Sequence, residues 1–252
     1  MPTRTETRIK TEDGFCPTHM FEPDSEGPWP GVLMYMDGIG MRPALWEIAT
    51  RIAAQGYWVL LPNLFYRVGY NAEHGVDVFT DPEKRADLMT RIMPSASAAN
   101  VMRDTAALLS FVHAHGNVRD EKIGITGYCM GGRLAIYAAG HLGNRVAAAA
   151  AYHPGGLATD APDSPHKLAP RMKGRIYVGA AMADPSFDAA QKERFDRALS
   201  EANVDHTIED YSARHGFVPS DTPTHDPAAA KRHDETLFAL LRLLAARPPE
   251  LW

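Results

Sequence analysis

Lys122-Ile123-Gly124-Ile125-Thr126-Gly127-Tyr128-Cys129-Met130-Gly131-Gly132 is the stretch whose reading decides the fold. Residues 122–126 read as a short strand and residues 132–141 as a helix, so the glycine-rich segment between them must turn one directly into the other. Such a turn drives its central residue into a strained backbone conformation. The residues two places to either side must lack bulky side chains for strand and helix to approach. Gly127-x-Cys129-x-Gly131 has the form of a nucleophile elbow, with cysteine where serine is usual. Cys129 would then project above the carboxyl edge of the sheet. Its sulfur would lie near a helix amino terminus, whose partial positive charge favours thiolate and whose free N–H groups can hold an oxyanion. Two other readings stay open at this point: Gly-rich strand-to-helix turns also bind phosphates, and a tight turn can hold an inert, small hydrophobic cysteine.

Outward from the elbow, short β-type runs alternate with helix-length stretches. The run 31–36 is apolar on both faces, as a strand buried between helix layers should be. A turn at Asp37-Gly38 follows, then a helix over 45–55 with apolar positions 45, 48, 49, 52 and 53, stopped by Gly56, and a strand over 57–61 closed by Pro62. Ser95 or Ser97 caps a helix running to 115, with Val101, Ala106, Leu108, Leu109 and Val112 as its buried stripe. Strands over 146–152, 175–181 and 205–211 and helices over 187–202 and 228–245 complete the pattern, with Pro248-Pro249 ending the last. Residues 5–10 and 15–21, around Glu12-Asp13-Gly14, read as an antiparallel hairpin at one sheet edge. Residues 63–94 have weaker periodicity and read as an excursion over the sheet, of the kind that shapes substrate pockets. The expected architecture is a single α/β domain over 1–252: a mostly parallel central sheet, helices on both faces, and the hairpin at one edge.

The chain has 252 residues, 45% of them hydrophobic, enough for a sizeable core and incompatible with disorder. A net charge of −5 offers no positive field for a polyanion, so nucleic acid is not an expected partner. Cys16 and Cys129 form no CxxC or Cys/His cluster, which speaks against a disulfide framework or zinc module and fits a reducing cytosol. His113-Ala-His115 near a helix end reads as a solvated face, and no HExxH motif is present. The amino terminus lacks the apolar core of a signal peptide, and no apolar run approaches the roughly 20 residues needed to span a bilayer. A cytoplasmic location without membrane partners is expected.

Two later residues give the elbow its chemical meaning. Asp184 follows the strand over 175–181 by a short turn, and His215 follows the strand over 205–211 in Ser212-Ala-Arg-His-Gly-Phe217. Individually these read as an Asp-Pro turn former and a surface-loop histidine. In the order nucleophile, acid, histidine, each just beyond the carboxyl end of a parallel strand, they have the chain order of an α/β-hydrolase triad.

The elbow, the aspartate, the His-Gly-Phe and Leu60-Leu61-Pro62-Asn63-Leu64 together resemble the dienelactone hydrolase (carboxymethylenebutenolidase) family, from about residue 5 to 245. The resemblance implies Cys129 as nucleophile, Asp184 and His215 as its partners, and Tyr152 near the pocket. It also implies a thiol-activating acid in the first strand-to-helix turn, where Asp37 stands in place of the family's glutamate, the alternative being a turn residue before Gly38. Arg85, in the excursion, stands as the candidate for a carboxylate-binding arginine, the alternative being a solvated charge. The family's arginine just after His-Gly-Phe is missing, replaced by Val218-Pro219-Ser220.

The expected activity is therefore hydrolysis of a lactone or carboxylic ester through a covalent cysteinyl thioester, with the N–H groups of Gly38 and Met130 as oxyanion hole and no cofactor or metal. The partner is a small-molecule ester or lactone, neutral substrates being expected to rival carboxylated ones. The alternatives are a broad carboxylesterase or thioesterase, and a non-catalytic or redox-sensing protein on the same fold. The sequence carries no signal of oligomeric state.

Overall fold

The computed structural model describes residues 1–72 and 74–245. Its strands are β1 Thr3–Thr11, β2 Gly14–Glu22, β3 Trp29–Tyr35, β4 Trp58–Pro62, β5 Val118–Tyr128, β6 Val146–Tyr152, β7 Arg175–Ala181 and β8 His206–Tyr211. They form one sheet in the order β1-β2-β4-β3-β5-β6-β7-β8. The β1/β2 and β2/β4 pairs are antiparallel and every pair from β4 to β8 is parallel. Gly14, at φ 136, closes the amino-terminal hairpin in a conformation open to glycine and costly for other residues.

The helices are α1 Pro43–Ala54, α2 Pro82–Asp87, α3 Met93–Ser95, α4 Ala98–Ala114, α5 Met130–Leu142, α6 Ala189–Glu201 and α7 Pro227–Ala245. Helices α4 and α5 pack together on one face of the sheet. On the other, α1 and α7 are linked by the Arg51–Asp234 ion pair. Both faces of β3, β5 and β6 are therefore covered, and the all-alanine centre of β6 lets the helices come close. Among the described residues no helix is long and apolar enough to cross a membrane.

The apolar stripe of α1 is buried as its periodicity requires: Leu45, Ile48, Ala49, Ile52 and Ala53. Ser97 caps α4 by accepting from the Asn100 N–H. The stripe of α4 departs from expectation: Ala106 is exposed, and Asp104 and Thr105 are buried instead. Distant partners reverse the polarity rule. Asp104 takes two hydrogen bonds from Arg67, at 2.7 and 2.8 Å, and one from the Tyr66 hydroxyl, while Thr105 pairs with Tyr35. These bonds pin the start of the excursion to α4. Strand β5 begins at Val118, before Lys122, because Val118 and Arg119 pair with Trp29 and Pro30 of β3. Helix α6 begins at Ala189, later than expected, since Asp184 and Asp188 each cap a separate turn. The expected stop at Pro248-Pro249 lies outside the described residues.

Candidate active site

Cys129 stands between β5 and α5 at φ 53 and ψ −116, a conformation that non-glycine residues rarely adopt. The flanking glycines explain how the chain reaches it. A Cβ on Gly127 would lie 2.1 Å from the Gly131 carbonyl oxygen, and one on Gly131 would lie 2.3 Å from the Met36 carbonyl oxygen. The Cys129 N–H donates to the Tyr152 carbonyl at 3.0 Å, tying the elbow to β6, and the side chain is half-buried. The Met130 N–H, first of its helix, has no intrahelical acceptor. The contact of Gly131 with the end of β3 also sets the 37–40 turn, with the Gly38 N–H, beside that helix start. Met93, from the excursion, closes over Gly38.

Asp184 and His215 meet at the carboxyl ends of β7 and β8. Asp184 Oδ2 is 2.6 Å from His215 Nδ1, and Oδ1 accepts from the Ser186 N–H at 2.9 Å and hydroxyl at 2.6 Å. Burial raises the Asp184 carboxyl, but the bonds from His215 and Ser186 outweigh it and bring it down to about 2. Burial likewise lowers His215. Its bond to Asp184 and its interaction with the Cys129 sulfur prevail and raise it to about 10. The histidine loop is fastened by two hydroxyls: Thr224 donates to the His215 carbonyl at 2.6 Å and Thr222 to the Gly216 carbonyl at 2.7 Å.

The raised imidazole makes a prediction for stability. A group whose folded pKa lies above its ordinary value stabilises the fold below that ordinary value and loses the contribution as pH rises through the folded one. The Tm advantage of wild type over His215→Gln should therefore be largest between about 3.8 and 6.5, where Asp184 is fully ionised, and shrink as pH approaches about 10. A difference constant across that range in thermal melts would contradict the assigned pairing.

Sequence reasoning missed Ser186, Thr222 and Thr224, which show only as ordinary loop hydroxyls, and His153. His153 follows β6 at φ 39, is 1% exposed, and packs edge-on against His215 and Phe217, at centroid distances of 5.3 and 4.9 Å. Burial, then the positive charge of His215, holds it neutral.

Three expected site residues are placed elsewhere. Asp37 gives both carboxylate oxygens to Arg42, at 2.7 and 2.8 Å, and Oδ1 also accepts from the Ile39 and Gly40 N–H groups, so its lone pairs go to its own turn and not to the thiol. The Tyr152 ring is fully buried; its hydroxyl meets Thr236 and the His233 carbonyl on α7, because the residue points to the far face of the sheet. Arg85 is exposed on α2, and among the described residues its guanidinium has no ion pair. No group of three or more metal-ligating side chains occurs among the described residues.

A sheet that turns from antiparallel to parallel at β4, with its elbow, acid and histidine on the carboxyl ends of β5, β7 and β8, is that of the α/β-hydrolases. Within that class the chain belongs to the dienelactone hydrolase family, whose model matches residues 16–244. It is 26% identical over 216 residues to a Synechocystis sp. protein provisionally named a carboxymethylenebutenolidase, covering 84% of this chain and 85% of that one. It is 24% identical over 211 residues to the carboxymethylenebutenolidase of Rhodococcus opacus, covering 81% and 76%. A Klebsiella pneumoniae crystal structure, provisionally named a dienelactone hydrolase, superposes with a TM-score of 0.85 at 23% identity, over 98% of this chain and 100% of that one.

Proposed function

We propose that this member of a hydrolase family cleaves a neutral lactone or carboxylic ester through a covalent thioester on Cys129. The observation that carries the reading is the strained, glycine-flanked cysteine at the end of β5, set with an imidazole that a buried carboxylate holds at 2.6 Å on the same sheet edge. His215 takes the thiol proton, and the sulfur attacks the substrate carbonyl carbon. The oxyanion is held by the N–H groups of Met130 and Gly38. Collapse breaks the carbon–oxygen bond, and the departing alkoxide takes the proton back from His215. Water then gives a proton to His215 and attacks the thioester; the acid leaves and the thiol is restored.

The raised His215 suits both halves. While the sulfur is free, its interaction helps keep the proton on the imidazole. Acylation removes that interaction, so proton affinity falls when the ring must act as a base toward water. A preference for neutral substrates is supported by Arg42, the buried cation beside the Gly38 turn, which is occupied by two carboxylates.

The test is a chemical quench of wild type with an activated acetyl ester, followed by peptide mass spectrometry, and steady-state kinetics on matched neutral and carboxylated lactones. The expected results are an acyl adduct on the Cys129 peptide and kcat/KM for the neutral lactone equal to or above that for its partner. An adduct on Cys16 alone would overturn the nucleophile assignment. A preference of about a hundredfold for the carboxylated member, worth about 2.7 kcal/mol, would overturn the substrate class.

A further inference from the structure

We propose that Arg42 is a positioning residue of this hydrolysis, strapping the turn that carries Gly38 to the loop that carries His215. The inference rests on the thioester reading above. Arg42 precedes α1 in extended backbone and its side chain is 5% exposed. All five of its donor hydrogens have acceptors. Nη1 donates to Asp37 Oδ1 at 2.7 Å and the Gly40 carbonyl at 3.0 Å. Nη2 donates to Asp37 Oδ2 at 2.8 Å and Asp221 Oδ1 at 3.1 Å, and Nε to Asp221 Oδ2 at 2.7 Å. The guanidinium is thus bidentate to two carboxylates at once, which a lysine ammonium cannot be.

The two carboxylates belong to the two halves of the chemistry. Asp37 immediately precedes Gly38, and its Oδ1 closes the turn by accepting from the Ile39 and Gly40 N–H groups. Asp221 lies on the histidine loop, and its neighbour Thr222 donates to the carbonyl of Gly216, next to His215. A chain of short polar contacts therefore runs from the proposed oxyanion donor to the proposed base without passing through the sheet. Stability alone gives little reason for it, because the cost of desolvating a buried ion trio offsets much of its mutual attraction, and well-packed apolar side chains at the same place often do as well. What the planar fork supplies is register between two loops, and small displacements of reacting groups are costly in rate.

The experiment compares wild type, Asp221→Asn, Arg42→Lys and Cys129→Ala on a neutral aryl ester, together with the rate at which iodoacetamide alkylates Cys129. Alkylation displaces iodide at a saturated carbon, so it reports on the thiol and His215 and forms no oxyanion. Asp221→Asn is the gentle variant, since that side chain is 32% exposed; it serves where Arg42→Lys fails to fold around an unpaired Asp37. Expected for each folded strap variant is a fall in kcat of about 10- to 100-fold, KM within about threefold, and alkylation within about twofold of wild type. An unchanged kcat in folded Asp221→Asn overturns the proposal and leaves the thioester reading intact. Alkylation falling in step with kcat also overturns it, because a loss carried wholly by the thiol and imidazole leaves the Gly38 turn without a part and so no register between the two loops. Hydrolysis persisting in Cys129→Ala overturns both.

Discussion

A Cys129→Ala protein should melt at the wild-type temperature and hydrolyse esters at least about 10⁴-fold more slowly. The substitution deletes the sulfur and leaves the elbow intact, since alanine bears the same positive φ of 53 that cysteine already bears. What remains is substrate binding and whatever the Gly38 and Met130 N–H groups do for an attacking water. His215→Ala should cost about 10² to 10⁴. Asp184→Asn should cost no more than His215→Ala, toward the upper end of that range, because the carboxylate acts only through the ring. An amide would offer an N–H to the Nδ1 that now meets the carboxylate at 2.6 Å, forcing the other tautomer, and in a serine-protease triad the same change costs about 10⁴. The Cys129→Ala/His215→Ala double variant should be no slower than Cys129→Ala alone, because the two groups act as one unit. A Cys129→Ala enzyme keeping more than about a hundredth of wild-type kcat, with Cys16 the remaining cysteine, would refute the nucleophile.

The fold was legible wherever local sterics or a single periodicity governs. The elbow is legible because only a glycine-flanked residue can make so sharp a strand-to-helix turn, and the α1 stripe because one sheet face buries it. Asp184 and His215 were legible as places on strand ends. What failed was everything decided by partners distant in sequence. Asp37 reads as an acid free to reach the thiol, and its capture depends on Arg42, whose other partner Asp221 is 179 positions away. Ala106 reads as core because Asp104 and Thr105 are polar, yet Arg67, Tyr66 and Tyr35 satisfy those two and draw them inward. Tyr152 sits at the right strand end for a pocket residue, but its ring falls on the α7 face. Alternation fixes that only once the register of β6 on β5 is known.

Gly127→Ala should be the most damaging small substitution in the chain, lowering stability by about 3 to 5 kcal/mol, with Gly131→Ala close behind. The reason is what the new methyl meets. At Gly127 it would come within 2.1 Å of the Gly131 carbonyl oxygen and 2.9 Å of the Gly132 nitrogen. At Gly131 it would meet the Met36 and Tyr35 carbonyl oxygens at 2.3 and 2.6 Å. All four are backbone atoms and none has a rotamer to retreat into, so α5 must lift away from β3 and β5, opening voids along a close-packed face. Two other glycines calibrate the effect. Gly124→Ala also crowds its surroundings, at 2.7 and 2.8 Å, but against the tips of Leu244 and Leu241, which can rotate, so it should cost less. Gly56→Ala meets nothing within 4 Å and pays only for its φ of 89, about 1 to 2 kcal/mol. Urea titrations of the four variants should rank them Gly127 and Gly131 first, Gly124 next and Gly56 last, with unchanged m-values if the denatured state is unaffected. A Gly127→Ala protein within about 1 kcal/mol of wild type would mean that strand and helix are not in the contact that holds Cys129 at positive φ.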